Sequence, residues 1–478
     1  METSSSTYKK QTLGLASLIF FVVAAASPLT GLVGAMPIAI LEGNGAGISG
    51  IYIISGLILL IFSVGFIAMS RYIKNAGAFY SYISAGMGIK MGVTGLALAI
   101  LSYVSIQIAI AAIFGLFTQI FFQEYLGFNL PWWVYTVLML GVVCWLGIAK
   151  IEIGSRVLGI LMLLEVGIAV LIAAIVVVKQ GSVGALDLKP FTPSVVFNGN
   201  VGMALVFTVA AFIGFEATAI YAEECRDPER NVPVATVIAA LIIMGFFAFC
   251  SWGMIQAYGS DHVQKVVADN PELFVFNIAE SALGSWSVIL INILLITSLF
   301  AATQSFHNNI SRYFYVMARD GIFLPKLAKL HPTKDTPYIS SICQTIFMIS
   351  LTVILALLGQ DPLIDIFTWG SAITTMSILL LEILVSISVI LYFRRRSELN
   401  ISHWKARYAP FLAAILMSVV LYLVTMNLDI LSGIKTKVIY LVPILVFGSA
   451  IAGYLYAVIL IRFFPSGMSK LNRVVEEA

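Results

Sequence analysis

The sequence predicts an all-α integral membrane protein with 12 transmembrane helices, and three observations point there. The 478 residues are 60% hydrophobic and only 11% charged, where soluble domains carry roughly 25% charged residues. So few charges cannot coat a water-soluble surface of this size. Long apolar runs recur along the whole chain; about 20 such residues cross a bilayer as a helix, and a helix satisfies its own backbone hydrogen bonds in lipid. The runs also lack the strict alternation of membrane β-barrel strands.

Taken in order between polar punctuation, the spans fall at 12–41, 47–70, 91–122, 132–149, 155–178, 198–222, 233–257, 284–311, 338–359, 363–393, 408–427 and 436–463. The stretch from Leu13 to Leu41 is too long for a cleavable signal peptide and holds Pro28 and Pro37. An even number of spans puts both termini on one side. With that side cytoplasmic, the inner segments carry two basic residues before the first span, three, two, two, five and five in successive loops, and three at the C-terminus, 22 of the 27 in all. Lys179, Lys189, Lys265, Lys435 and Lys437 make up the external five. The positive-inside rule therefore predicts cytoplasmic termini in a multi-pass protein of the plasma or inner membrane, with the lipid bilayer as its surroundings. No linker or soluble domain interrupts 1–478, which reads as a single domain. The longest external loop, Tyr258 to about Leu283, is expected to carry a short helix; the basic segment Arg312–Pro337 is expected to be partly helical, a solvated inner loop.

The cysteines Cys144, Cys225, Cys250 and Cys343 show no metal-ligand spacing; three of them lie in apolar runs, where Cys acts as a small hydrophobe. His262, His307, His331 and His403 form no metal-ligand pair, and His307, on an apolar helix, reads as structural. There is no phosphate-cradling glycine loop for ATP. An enzyme is disfavoured, and no metal, cofactor or nucleic acid is implied.

Two spans are interrupted. The first reads Ala26-Ser27-Pro28-Leu29-Thr30-Gly31-Leu32-Val33-Gly34 across its middle: Pro28 removes a backbone donor and clashes with the preceding turn, while Gly31 and Gly34 permit non-helical angles. The sixth reads Ala210-Ala211-Phe212-Ile213-Gly214-Phe215-Glu216-Ala217, again with glycine at its centre. These are corresponding members of two five-helix halves, and matched interruptions are the best sequence pointer to a transporter binding site. A broken helix exposes N–H groups on one side, suited to a carboxylate, and carbonyls on the other, suited to an ammonium. A zwitterionic amino acid satisfies both. Ser27–Gly31 is thus expected to bind the substrate carboxylate and Ala210–Ile213 its amine.

Further residues carry a family resemblance. Gly214-Phe215-Glu216-Ala217, followed by Glu223-Glu224-Cys225-Arg226-Asp227-Pro228-Glu229-Arg230-Asn231-Val232-Pro233, resembles the amino acid–polyamine–organocation (APC) family. So do Ser311-Arg312, Met317-Ala318-Arg319-Asp320-Gly321 and Leu324-Pro325 after the eighth span, and Asn75-Ala76-Gly77-Ala78-Phe79-Tyr80 after the second. The resemblance implies a LeuT-type fold: inverted repeats at 12–178 and 198–393 plus two peripheral helices at 408–463. It also implies secondary active transport by alternating access. One departure is Thr30-Gly31-Leu32 where the family has Gly-Ser/Thr-Gly. By the same resemblance an aromatic on the sixth helix covers the substrate, for which Phe212 and Phe215 are candidates. Ile106, Gln107, Gln304 and Trp369 join them as candidate lining residues from the third, eighth and tenth helices.

Of 24 acidic residues, three lie well inside apolar runs: Glu165, Glu216 and Glu382. Mid-bilayer charge is costly, and such groups face the protein interior or a cavity. By resemblance, Glu216 matches a position implicated in gating and proton sensing, and Glu165 a place where some members carry a lysine that substitutes for sodium. Both are therefore candidates for proton coupling or gating. Thr297, Ser298 and Thr303 on the eighth span are hydroxyls in reach of a sodium site, though such residues are ordinary helix-packing groups; protons are favoured over sodium. With no acidic residue placed in the side-chain pocket, a neutral amino acid is favoured as substrate. A polyamine, other organic amine or cationic amino acid, carried by transport or by exchange, is the alternative; a channel or a non-transporting nutrient sensor is the reading from another class.

Overall fold

The computed structural model describes residues 13–73, 79–149, 153–215, 218, 225–428 and 441–463. Ten helices among these are long and apolar enough to cross a membrane, from Pro28–Ser70 to Leu441–Phe463. The chain is a multi-pass membrane protein.

Ten of the spans expected from the sequence coincide with these helices, and the two that differ are the interrupted ones. Helix Leu15–Ala26 stops after 12 residues. The chain then restarts at Pro28 and stays apolar and largely helical to Ser70, with a kink at Gly43, which has non-helical angles, and Gly45, at φ 58°. The sixth expected span is helical over Val201–Ala210 only, 10 residues. Neither Leu15–Ala26 nor Val201–Ala210 alone reaches the length that a bilayer requires.

The connections follow the sequence more loosely. Two short helices, Val263–Asp269 and Phe274–Leu283, occupy the loop where one was expected. Trp286–Arg319 extends one long helix well into the basic segment, which also holds a short turn of helix at Pro325–Ala328. The start of the first helix is pinned to the loop after the sixth, where Arg226 N–H donates to Leu13 C=O at 2.8 Å.

Packing puts the broken helices at the centre. Pro228–Ile255 lies on Ile48–Ser70 and on Leu15–Ala26, while Thr368–Arg395 lies on Ile89–Leu126 and on Val201–Ala210. Lipid tails are as apolar as leucine, so close backbone approach does much of the holding. A Cβ on Gly86 would sit 2.3 Å from the Ser388 carbonyl, and one on Gly115 2.3 Å from the Trp132 carbonyl. Trp132–Ala149, Ala409–Met426 and Leu441–Phe463 present large exposed apolar side chains, among them Trp145, Phe411 and Ile451, as a lipid-facing rim must.

Candidate functional site

The first break is one residue wide. Ser27 adopts φ 44°, ψ 70°, the left-handed region, at a cost of about 1–2 kcal/mol for an L-residue. Pro28 explains why Ser27 leaves the helix, since its ring disfavours the α conformation in the residue before it. The helical ladder resumes when Gly31 N–H donates to the Ser27 carbonyl at 3.1 Å. Pro28 has no N–H, so Leu29 and Thr30 carry the first free-ended N–H groups of the new segment. The next turn, Gly31–Ala35, is wound wide: Met36 N–H reaches back five residues to the Gly31 carbonyl.

The sixth break is longer. After Ala210 the ladder tightens to three-residue bonds, Phe212 N–H to Val209 C=O at 3.0 Å and Ile213 N–H to Ala210 C=O at 3.1 Å. Gly214 follows at φ 107°, open to glycine and strained for other residues. Helix and dipole therefore end at Ala210 with carbonyls directed onward.

Both breaks open on one cavity of about 440 Å³, counting the open space at its mouth. Ser27, Thr30, Gly31, Ala210, Ala211 and Ile213 line it from the breaks, and Ile106 from the third helix. The remaining lining was not anticipated: Ala26, Ala35, Ile110, Phe207, Phe306, Phe367 and Ser371. Ser371 is buried and its hydroxyl has no hydrogen-bond partner among the described residues. Pro28 and Leu29 are buried beside the break without lining the cavity.

Other expected lining residues lie elsewhere. The Gln107 carbonyl accepts from the Gln344 amide, and Gln304 donates to Asn308 on its own helix at 3.1 Å. Trp369 packs at the partly exposed edge of the core. Phe212 and Phe215 line a different cavity, with Glu382, Ser55 and Met417, on the far side of the sixth break; Ile213 is the wall shared by both. Phe215 is further held by Phe62 and Phe66 at ring separations of 5.9 and 5.8 Å. Gly31 is covered as well as opened: a Cβ there would lie 2.4 Å from Phe247 Cε1, and that ring stacks on Tyr52 at 4.8 Å. His307 bonds Ser341 at 2.7 Å.

Hydroxyls tie the first break to helix Trp286–Arg319. Ser27 Oγ donates to Thr30 Oγ1 at 2.6 Å and lies 2.8 Å from Ser298 Oγ. Ser298 lies on the helix that packs against Ile153–Ser182, which carries the buried Glu165. Thr297 and Thr303, named with Ser298 as sodium candidates, bond carbonyls of their own helix at 2.9 and 2.8 Å. Glu216 lies outside the described residues.

Comparison with known proteins gives consistent relatives. A family model described as amino acid permease matches residues 13–450. The branched-chain amino acid permease BcaP of Bacillus subtilis (strain 168) is 24% identical over 394 residues, 76% of this chain and 78% of that protein. The low-affinity putrescine importer PlaP of Escherichia coli (strain K12) is 25% identical over 303 residues, 60% of this chain and 62% of that protein. Cationic amino acid transporter 4 of Homo sapiens is 27% identical over 164 residues, 34% of this chain and 24% of that protein.

Proposed function

The chain belongs to the amino acid permease family, and from that premise we propose that it carries neutral amino acids across the membrane by alternating access. Members of this family are transporters, and the chain is not an enzyme. One observation carries the substrate reading: both helix breaks open on a single cavity whose described lining holds no charged side chain. The N–H groups at Leu29 and Thr30 and the Ser27 and Thr30 hydroxyls suit the substrate carboxylate, and the carbonyls ending the helix at Ala210 suit its amine. Ile106, Ile110, Phe306 and Phe367 leave an apolar space for the side chain. A cationic amino acid or polyamine calls for a carboxylate here, and the described lining supplies none. Under this reading the chain makes 12 spans as two inverted repeats, 12–178 and 198–393, with peripheral helices at 408–463 and cytoplasmic termini in the cell membrane.

Proton coupling completes the proposal. A carboxyl buried mid-membrane is costly as a charge, and Glu165 is buried on Ile153–Ser182, a helix that packs against both pieces of the interrupted first helix. Purified protein in liposomes, loaded with unlabelled L-leucine, should take up labelled L-leucine by counterflow, which a channel does not show. External acid should drive net uptake, with no response to a sodium gradient. Glu165→Gln should keep counterflow and lose the acid response. Uptake driven by sodium would refute proton coupling; putrescine or L-lysine carried in preference to L-leucine would refute the substrate class.

A further inference from the structure

We propose that Tyr338–Leu357, a helix outside the cavity, sets side-chain selectivity from behind, by fixing the facing of Ile106 and Phe306 through two buried hydrogen bonds. This rests on reading the cavity as an amino-acid site.

Both wall residues have polar neighbours in sequence. Ile106 lines the cavity, and Gln107 follows it on Ile89–Leu126; Phe306 lines the cavity, and His307 follows it on Trp286–Arg319. Successive residues of a helix point about 100° apart, so each polar side chain leaves the wall sideways, and both meet the same third helix. The Gln344 amide donates to the Gln107 carbonyl, and Ser341 Oγ lies 2.7 Å from His307 Nε2. Ser341 and Gln344 are one turn apart on a single face of Tyr338–Leu357. All four side chains are buried. The same helix exposes Ile346, Phe347 and Ile354, and none of its residues is among the described lining of the cavity.

These bonds serve direction more than strength. Hydrogen bonds between membrane helices contribute modestly, and the amide pair leaves Gln107 Nε2 and Gln344 Oε1 without a partner among the described residues. Two apolar side chains of the same shape would hold the helices as well. Apolar faces in an apolar solvent can turn past one another, whereas one buried polar pair fixes their register, as a single Asn does in a coiled coil. Rotation is what the cavity needs fixed. Turning Ile89–Leu126 or Trp286–Arg319 by part of one residue step swings Ile106 or Phe306 away from the substrate side chain, while the breaks at Ser27 and Ala210 stay in place. Trp132–Ala149 backs the imidazole closely: a Cβ on Gly147 would lie 3.2 Å from His307 Cδ2.

The test compares L-leucine and L-alanine affinities of the purified full chain. The two share the zwitterion and differ by three carbons, each worth about fourfold when buried. Gln344→Leu and Ser341→Ala should each cut the preference for L-leucine by about four- to tenfold, with L-alanine affinity little changed. Ser341→Thr keeps the hydroxyl and should keep the preference. Gln107→Leu combined with Gln344→Leu leaves no amide buried alone, so it also serves if Gln344→Leu does not fold. It should melt near the wild-type temperature and still lose the preference. A network that only holds the fold gives the reverse: equal losses for both substrates, following melting temperature and undone in the paired variant. That result, or a wild-type preference in the paired variant, overturns the proposal. If the wild type binds neither amino acid, the substrate reading fails, and the network is judged on Phe306→Cys in a chain whose four native cysteines are replaced by serine. Adding Ser341→Ala should change its rate of labelling by a small methanethiosulfonate severalfold; an unchanged rate overturns the proposal.

Discussion

The first helix is interrupted at a single residue, Ser27, and is tied by hydroxyls to its surroundings, whereas the sixth unwinds from Ala211 to Phe215 and is tied by aromatic packing. Ser27 hydrogen-bonds Thr30 and Ser298; Phe215 is wedged against Phe62 and Phe66. Hydrogen bonds are directional and reverse at little cost, while packed rings do not. The first break therefore has the means to rearrange, and the sixth has the means to hold a shape against which that rearrangement is felt.

Phe215→Ala should break the comparison hardest if it is wrong. Removing a fully buried ring costs about 3–5 kcal/mol, so melting temperature in detergent should drop markedly, while the folded fraction keeps its substrate affinity because Phe215 faces the Glu382 cavity. Lost affinity at full stability would make Phe215 the substrate lid and erase the contrast. Gly31→Leu comes next. The first-break sequence alone suggests lost binding in a folded protein, but Phe247 fills the space where a side chain would go. Overpacking of this kind costs about 1–3 kcal/mol, so stability and binding should fall together; intact stability would show that the Phe247 ring yields. Ser371→Ala sharpens the comparison from within the cavity. Its unpartnered hydroxyl should contribute a hydrogen bond of about 0.5–1.5 kcal/mol to the substrate, a loss of roughly 2- to 10-fold in affinity with melting unchanged. The smallest effect lies away from both breaks: Asp261→Asn cuts the exposed 3.0 Å pair with Lys189 and should leave melting and uptake alone, as surface pairs usually do.

The sequence shows where helices break far better than it shows which way they face. Proline before a run of small residues and a central glycine mark Ser27 and Gly214 directly, because backbone geometry is written in residue type. Side-chain direction leaves no such mark. In a soluble helix a polar face reveals the apolar one; here lipid and protein interior are both apolar, so the stripe vanishes. Gln107, Gln304 and Trp369 each lie one or two positions from a residue that lines the cavity: Ile106, Phe306 and Ser371. One residue is about 100° of helix, enough to point Gln107 at Gln344. The pairs Ile106 with Ile110 and Phe367 with Ser371 keep the four-residue spacing of one helix face, but that spacing cannot be anchored without a neighbour. Glu165 was legible because a carboxylate in an apolar run needs a reason to be there; the hydroxyl contact between Ser27 and Ser298 was not, since the two are 271 positions apart.

The wide turn at Gly31–Ala35 has a bearing on how such a chain tolerates change in length. A five-residue backbone bond, as from Met36 to Gly31, accommodates one residue more than an α-turn does. Deleting a residue within that turn would restore ordinary winding and leave Met36 and everything beyond it on their present faces. The same deletion in Leu15–Ala26 would rotate all that precedes it by about 100° relative to the break. Beside the cavity, then, the first helix holds slack of one residue, and a gene carrying this fold has room there to lose a codon that it lacks a turn or two away.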